Sequence, residues 1–305
     1  MSGATTPREG YFALHQGRVL CIAHRGARSV APENTILAAQ RGLEEGADLW
    51  ELDVQLTADG HLVVVHDDTL ERTTDVASRP EHAGRAPWRV CDFTLDEVRG
   101  LDAGGWYEAA DPFGQVASGG VTADDLALFP GLRIPTLDEA LAFTADHGWR
   151  VNVEIKDMTV NADGSPGSPG CPPYPGDAAV VRAVLECIRV HGLTEQVILS
   201  SFRHDYLRYA AALEPALALA ALVEDVRPAD PVALCRDLGV VAYHPGDDIV
   251  TEADVAALRA MGVAVNVWTV NEEADMRRFI DWGVSGLITD FPLLCWGILR
   301  EKGLA

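Results

Sequence analysis

Short apolar runs recur along the chain, and most are followed by a stretch whose apolar residues are spaced for one face of a helix. Val19 to His24 reads as a buried parallel strand. Pro32-Glu33-Asn34-Thr35 then opens a helix that runs through Leu37, Ala38 and Leu43 and stops near Gly46. Leu49 to Val54 is the next strand. Thr136-Leu137-Asp138-Glu139 has the form of a capping box, in which a hydroxyl and a carboxylate satisfy the free N–H groups that begin a helix; that helix extends to about Gly148. Further strands are predicted at Val151 to Ile155, Val197 to Ser201, Ala216 to Leu222, Val240 to Tyr243, Val263 to Thr269 and Gly286 to Thr289, with a last helix from Pro292 to Lys302. The rhythm amounts to about eight β-α units, the repeat of a TIM (β/α)8 barrel rather than of a doubly wound sheet. No Gly-x-Gly-x-x-Gly or Walker loop follows a strand, so a nucleotide-binding fold lacks its expected signal.

Three features break or decorate this rhythm. From Val54 to Val65 apolar and polar residues alternate around Asp59-Gly60, a strong hairpin signal. With Asp59 and Gly60 as a two-residue turn, Asp53 falls opposite His66, and Glu51 shares the face of Asp53 because strand side chains repeat with period two. Asp67 to Ile134 is far longer than an ordinary connection and reads as a small inserted subdomain after the second strand, within a single domain spanning residues 1–305. Asp157 to Gly176, rich in proline and glycine, reads as an irregular loop leaving the same face, either a plain surface loop or a lid.

Composition narrows the function. A chain of 305 residues with 48% hydrophobic and 23% charged residues can bury a large core. Its formal net charge of -22 argues against binding a nucleic-acid backbone, so any anionic substrate needs local positive charge. The first 18 residues lack the cationic start and apolar core of a secretion signal, and no run is long enough to cross a membrane. The six cysteines are scattered without metal-type spacing and are expected to be reduced. Together these lead to the expectation of a cytoplasmic protein without a transmembrane segment. A homo-oligomer is compatible with the sequence.

The placement of polar residues at strand ends supplies the candidate chemistry, since barrel enzymes carry their catalytic groups on that face. Glu51, Asp53 and Glu154 converge without a matching cysteine or histidine set, and hard oxygen ligands of that number suit Mg²⁺ or Ca²⁺. Three carboxylates and one divalent cation leave a charge of -1, which would repel a phosphodiester. Arg25, beside His24, and Lys156, on the face of Glu154, offset it, the first through a planar fork and the second as a point charge. His24 and His66 flank this site from two directions, as a general acid and a general base should. His15, His61, His82, His147, His191 and His204 are read as structural. A Gly-x-Ser-x-Gly elbow is missing, so Ser200 and Ser201 are assigned to bonding substrate or carboxylates rather than to nucleophilic attack.

With these residues in place, the chain resembles the glycerophosphodiester phosphodiesterase family. The resemblance rests on His24-Arg25-Gly26 with Pro32-Glu33-Asn34-Thr35, Glu51-Leu52-Asp53-Val54, Thr57-Ala58-Asp59-Gly60 and Val64-Val65-His66-Asp67. It continues through Arg133 to Leu137, Asn152 to Lys156, Ser200-Ser201-Phe202, Asn266 to Asn271 and Gly286 to Pro292. The resemblance implies a phospholipase C-like TIM barrel that hydrolyses a glycerophosphodiester to sn-glycerol 3-phosphate and an alcohol. It implies Glu51, Asp53 and Glu154 as holders of a divalent cation, Mg²⁺ or Ca²⁺, His24 and His66 as acid and base, and Arg25 and Lys156 on the phosphate. The mechanism it implies has the glycerol 2-hydroxyl attack phosphorus and water open the resulting cyclic phosphate. Trp268 would pack against the glycerol or its alcohol. Ala109 to Pro130 and Asp157 to Gly176 are extra loop relative to a minimal member and bear on substrate choice. A lysophospholipase D-type activity on lysophospholipids is the alternative within enzymes. A non-catalytic phosphate-ligand binding protein is disfavoured, because every residue implied for catalysis is present.

Overall fold

A computed structural model of the chain describes residues 17–158 and 179–305. His15, Cys171 and most of the expected loop from Asp157 to Gly176 lie outside the described residues. Nine strands form one sheet: β1 Leu20–Ala23, β2 Leu49–Leu56, β3 Leu62–Val64, β4 Val151–Ile155, β5 Val197–Ser201, β6 Ala218–Val223, β7 Ala242–Pro245, β8 Ala264–Val267 and β9 Gly286–Thr289. Their order is β1-β9-β8-β7-β6-β5-β4-β2-β3, and a parallel β1–β2 pairing closes the ring. Eight parallel strands ringed by helices therefore make the TIM barrel, and β3 lies antiparallel outside it against β2.

The alternation of side chains along the strands explains both the barrel and the site. Outward positions such as Trp50, Leu52 and Val54 on β2, and Val151, Val153 and Ile155 on β4, bury against the helices in the main core. Inward positions change character along the axis. Leu20, Leu49, Ile198, Ala218, Ala242 and Ala264 form an apolar floor. The next inward residues, two positions further along β2 and β4, are Glu51, Asp53, Asn152 and Glu154. Each carries a polar group into a barrel that is already closed beneath it. Register aligns them: Asp53 pairs with Glu154, and Glu154 with Ser200.

The helix Ile36–Glu44 begins where Thr35 accepts a hydrogen bond from the Ala38 N–H, an N-cap that satisfies one free donor. Gly26 is packed against this helix. A Cβ there would lie 2.4 Å from the Ala38 carbonyl carbon, and its φ of +80° already favours glycine. Arg25 and Asn34 also adopt positive φ, at 56° and 57°, so the backbone strain sits in the His24-Arg25-Gly26 turn and its neighbour.

Two expectations require correction. The hairpin pairs Val54 with Val64, Gln55 with Val63 and Leu56 with Leu62, so Asp53 lies opposite Val65 rather than His66. The turn contains three residues, Ala58 to Gly60, closed by the Thr57 N–H to the His61 carbonyl at 2.9 Å, with Gly60 at φ +83°. One added residue shifts the register by one, and on a strand that exchanges faces. The strand expected at Val240 to Tyr243 is instead Ala242–Pro245, because Gly239 terminates the preceding helix at φ +68° and Val240 still bonds back to Cys235. That shift brings His244 fully inside the barrel.

Between β3 and β4, three short helices, Leu95–Arg99, Trp106–Ala110 and Ala123–Leu126, precede the longer Leu137–Asp146. Leu70, Val76, Val90, Phe93, Val98 and Leu101 make a separate apolar cluster that also takes in Val63 and Val65 of the hairpin. The segment is thus anchored to the strand that leads to His66.

Candidate active site

A cavity of about 570 Å³ opens at the polar end of the barrel, lined by His24, Arg25, Glu51, His66, Glu154, Lys156 and Trp268, with Asp53 buried beside them. All eight candidate residues converge here. One oxygen from each of Glu51, Asp53 and Glu154 lies within 4.8 Å of the other two.

The carboxylates differ in their support. Asp53 accepts from the Asn34 amide at 2.8 Å and lies near Arg25 and Lys156, at 3.4 and 3.6 Å. Burial works to raise its pKa, but His66, Lys156, Arg25 and the Asn34 bond outweigh it and hold Asp53 well below the usual carboxylate range. Glu51 is less compensated: Oε2 accepts from the Arg25 backbone N–H at 2.9 Å, while the buried Oε1 has no hydrogen-bond partner among the described residues. Burial first, then the charges of Asp53 and Glu154, push its pKa well above the ordinary value. An unsatisfied buried oxygen in a crowded oxygen set fits a hard divalent cation, which would relieve both the repulsion and the missing bond.

Both histidines are held by aspartates. His24 Nδ1 lies 2.7 Å from Asp290 Oδ1, and Nε2 faces Glu51 at 4.0 Å. Asp290 is fixed in turn by Asn271, whose amide donates to Oδ2 at 2.8 Å and whose carbonyl accepts the Asp290 N–H at 3.0 Å. Because an ionised carboxylate only accepts, the neutral His24 ring carries its proton on Nδ1 and turns the Nε2 lone pair to the cavity. Burial, with the Arg25 charge, lowers its pKa to about 4, against the opposing pull of Asp290. His66 Nδ1 is likewise 2.7 Å from Asp67 Oδ1. Arg72 grips Asp67 at 2.6 and 3.0 Å and Glu33 at 2.9 and 2.7 Å. Glu33 accepts from Arg25 at 2.9 Å, which joins both sides of the site in one ionic chain.

His66 comes to the cavity despite the shifted register because Gln55 fastens the chain after β3. Its side-chain amide nitrogen lies 3.2, 2.9 and 2.5 Å from the carbonyls of Val65, His66 and Asp67. The Arg25 fork, expected to face a phosphate, is engaged by Glu33 and Asp53, with only 9% of the residue exposed. Lys156 sits 2.7 Å from Glu154. Ser201 is turned away from the cavity, donating to the Ile155 carbonyl at 2.7 Å, and Ser200 is fully buried. Trp268 donates to the His244 carbonyl at 2.9 Å and packs edge-on to Phe202 at 5.5 Å, forming an apolar wall with Leu222 and Ile288. Glu33, Asn34, Gln55, Asp67, Arg72, Asn271 and Asp290 carry no assignment from the sequence. Glu33, Asn34, Asp67, Asn271 and Asp290 lie within the stretches that carry the family resemblance, and Gln55 leaves its own signal, a polar residue at an inward strand position.

A family model, that of the glycerophosphoryl diester phosphodiesterases, matches residues 24–294. The chain belongs to this family. A glycerophosphodiester phosphodiesterase of Caldanaerobacter subterraneus is 35% identical over 286 residues, covering 94% of this chain and 100% of that one. One from Bacillus subtilis is 33% identical over 285 residues, with 92% and 86% covered. Among solved structures, a Silicibacter pomeroyi protein superposes with a TM-score of 0.76 at 28% identity, covering 96% of this chain and 98% of that one. An Oleispira antarctica phosphodiesterase solved with the product sn-glycerol-3-phosphate shares the fold at a TM-score of 0.74 and 24% identity, with 94% and 99% covered. The matched span begins at His24, in the turn that hands the Arg25 N–H to Glu51.

Proposed function

We propose that the protein hydrolyses glycerophosphodiesters to sn-glycerol 3-phosphate and an alcohol in a reaction dependent on a divalent cation. The observation that carries this reading is the meeting, in one cavity, of two aspartate-held histidines and a buried set of three carboxylates. Glu51, Asp53 and Glu154 would hold Mg²⁺ or Ca²⁺, which supplies charge neutralisation and polarisation of the phosphoryl oxygens. The nearby cations, Lys156 and Arg25, keep the site from repelling the anion. One histidine takes the proton from the glycerol 2-hydroxyl as its oxygen bonds to phosphorus. The other gives a proton to the departing alcohol oxygen, so the phosphorus–alkoxy bond breaks without releasing an alkoxide. With the roles exchanged, water opens the cyclic phosphate. The apolar wall of Trp268, Phe202 and Leu222 receives the alcohol group, and Glu224 at its edge favours a cationic one such as choline or ethanolamine.

The test is a headgroup panel of glycerophosphocholine, glycerophosphoethanolamine, glycerophosphoglycerol and a lysophosphatidylcholine. Release of glycerol 3-phosphate is followed after chelation and again after Mg²⁺ or Ca²⁺ is restored. Activity on the first two that disappears with chelator and returns with either ion is expected. Choline release from the lysolipid alone would replace this reading by the lysophospholipase D one, and activity indifferent to chelator would remove the cation.

A further inference from the structure

A second group of convergent donors lies on the outer helices, away from the cavity. Helix Leu137–Asp146 places Asp138 in its first turn, and helix Ala179–Val190 carries Cys187, with His191 just beyond its end. The His191 N–H donates to the Cys187 carbonyl at 3.2 Å, so the helical path continues and sets the imidazole one turn from the thiol, on the same face. His191 Nε2 is 2.8 Å from Asp138 Oδ1 across the two helices. One donor atom from each of Asp138, Cys187 and His191 lies within 4.8 Å of the other two.

An aspartate–histidine pair alone explains the contact between the helices. It does not explain the third member. Cys187 is a free thiol, partly buried against the barrel core, and a thiol beside a carboxylate gains no electrostatic benefit. Sulfur, nitrogen and oxygen form a borderline-soft set, unlike the all-oxygen set of Glu51, Asp53 and Glu154. A thiolate, a carboxylate and a neutral imidazole carry two negative charges between them, which one dication cancels. Ligands bound tetrahedrally at about 2.0–2.3 Å stand roughly 3–4 Å apart, a spacing reached here by small rotations of Cys187 and of Asp138, whose side chain is 71% exposed.

We infer that Asp138, Cys187 and His191 form a second metal site of the zinc class, with water as the fourth ligand, that ties helix Leu137–Asp146 to helix Ala179–Val190. Among the described residues these helices are the elements before and after β4, the strand that supplies Glu154, with Lys156 just beyond it. None of the three donors lines the catalytic cavity, so the site clamps the support of β4 without entering the reaction.

Cobalt offers a direct test on the full chain stripped of metal. One equivalent of Co²⁺ is expected to produce a thiolate-to-cobalt charge-transfer absorption in the near ultraviolet, insensitive to excess Mg²⁺ and removed by one equivalent of Zn²⁺. The Cys187→Ser variant should lose this absorption and the rise in Tm on adding Zn²⁺, while keeping wild-type turnover on glycerophosphodiesters in Mg²⁺. No thiolate band in the wild type, or a band that survives in Cys187→Ser, overturns the assignment. Asp138→Asn, at an exposed position that the fold tolerates, should weaken Zn²⁺ binding by about 10-fold or more. Unchanged affinity there would equally refute it.

Discussion

The two histidine–aspartate pairs at the cavity have the same 2.7 Å bond and opposite origins. His24 and Asp290 come from the ends of β1 and β9, neighbours in the barrel, and their side chains are 12% and 6% exposed. His66 and Asp67 are adjacent in sequence, follow a hairpin arm outside the barrel, and are 31% and 26% exposed. The first pair is positioned by strand pairing, with Asn271 fixing the Asp290 carboxylate. The second needs Gln55 to fasten its backbone and Arg72 to fix its carboxylate. A closed barrel thus sets one candidate histidine chiefly by its architecture and the other by side-chain ties, which makes the second the easier one to disturb.

Removal of either imidazole is the harshest challenge to this pairing. His24→Ala and His66→Ala should each lower kcat by about 10² or more, since each leaves one proton transfer uncatalysed. Unchanged turnover in one purified variant would remove that histidine from the reaction. The aspartates separate the pairs more finely. Asp290→Asn and Asp67→Asn should each reduce kcat with little change in KM, by roughly 10- to 100-fold for a group that orients another. The buried pair should lose more, because water can replace Asp67 and has little access to Asp290. Equal losses would show that exposure does not matter.

Stability offers the gentler tests. Gln55→Leu strips the amide from three carbonyls and should cost about 1–3 kcal/mol in urea unfolding, with kcat falling through His66 while the cation response persists. A variant as stable as wild type would place the fastening elsewhere. His24 gives an effect with a sign. In metal-free protein its pKa is about 4, against 6.5 in the unfolded chain, so below pH 6.5 the unfolded state binds a proton that the folded state refuses. The stability is intact above pH 6.5 and declines as pH falls toward 4. His24→Gln should flatten that slope in urea midpoints measured across the window, and parallel slopes would contradict the burial argument.

Much of the barrel and its site is legible in the sequence. Val151–Ile155, Val197–Ser201 and Gly286–Thr289 appear at their expected bounds because each carries β-branched and apolar residues on its helix-facing side. The carboxylates were legible by parity along β2 and β4. The hairpin misled because Asp59-Gly60 serves a two-residue and a three-residue turn equally well, and no local signal separates them. The ionic chain through Glu33 and Arg72 was invisible for another reason. Glu33 is 39 residues from Arg72, and only the folded turn brings both beside Arg25. Arg25 itself was read as free for a phosphate because sequence does not reveal which acids will claim it.

The apolar floor of the barrel has a consequence for traffic. Among the described residues, Leu20, Leu49 and Ala264 close the barrel beneath the cavity, leaving its mouth at the polar end. In the proposed reaction, cation, diester and water would enter through the opening by which both products depart. Because the proposed reaction frees the alcohol in its first step and glycerol phosphate only after water opens the ring, the same mouth would pass water inward between the two departures.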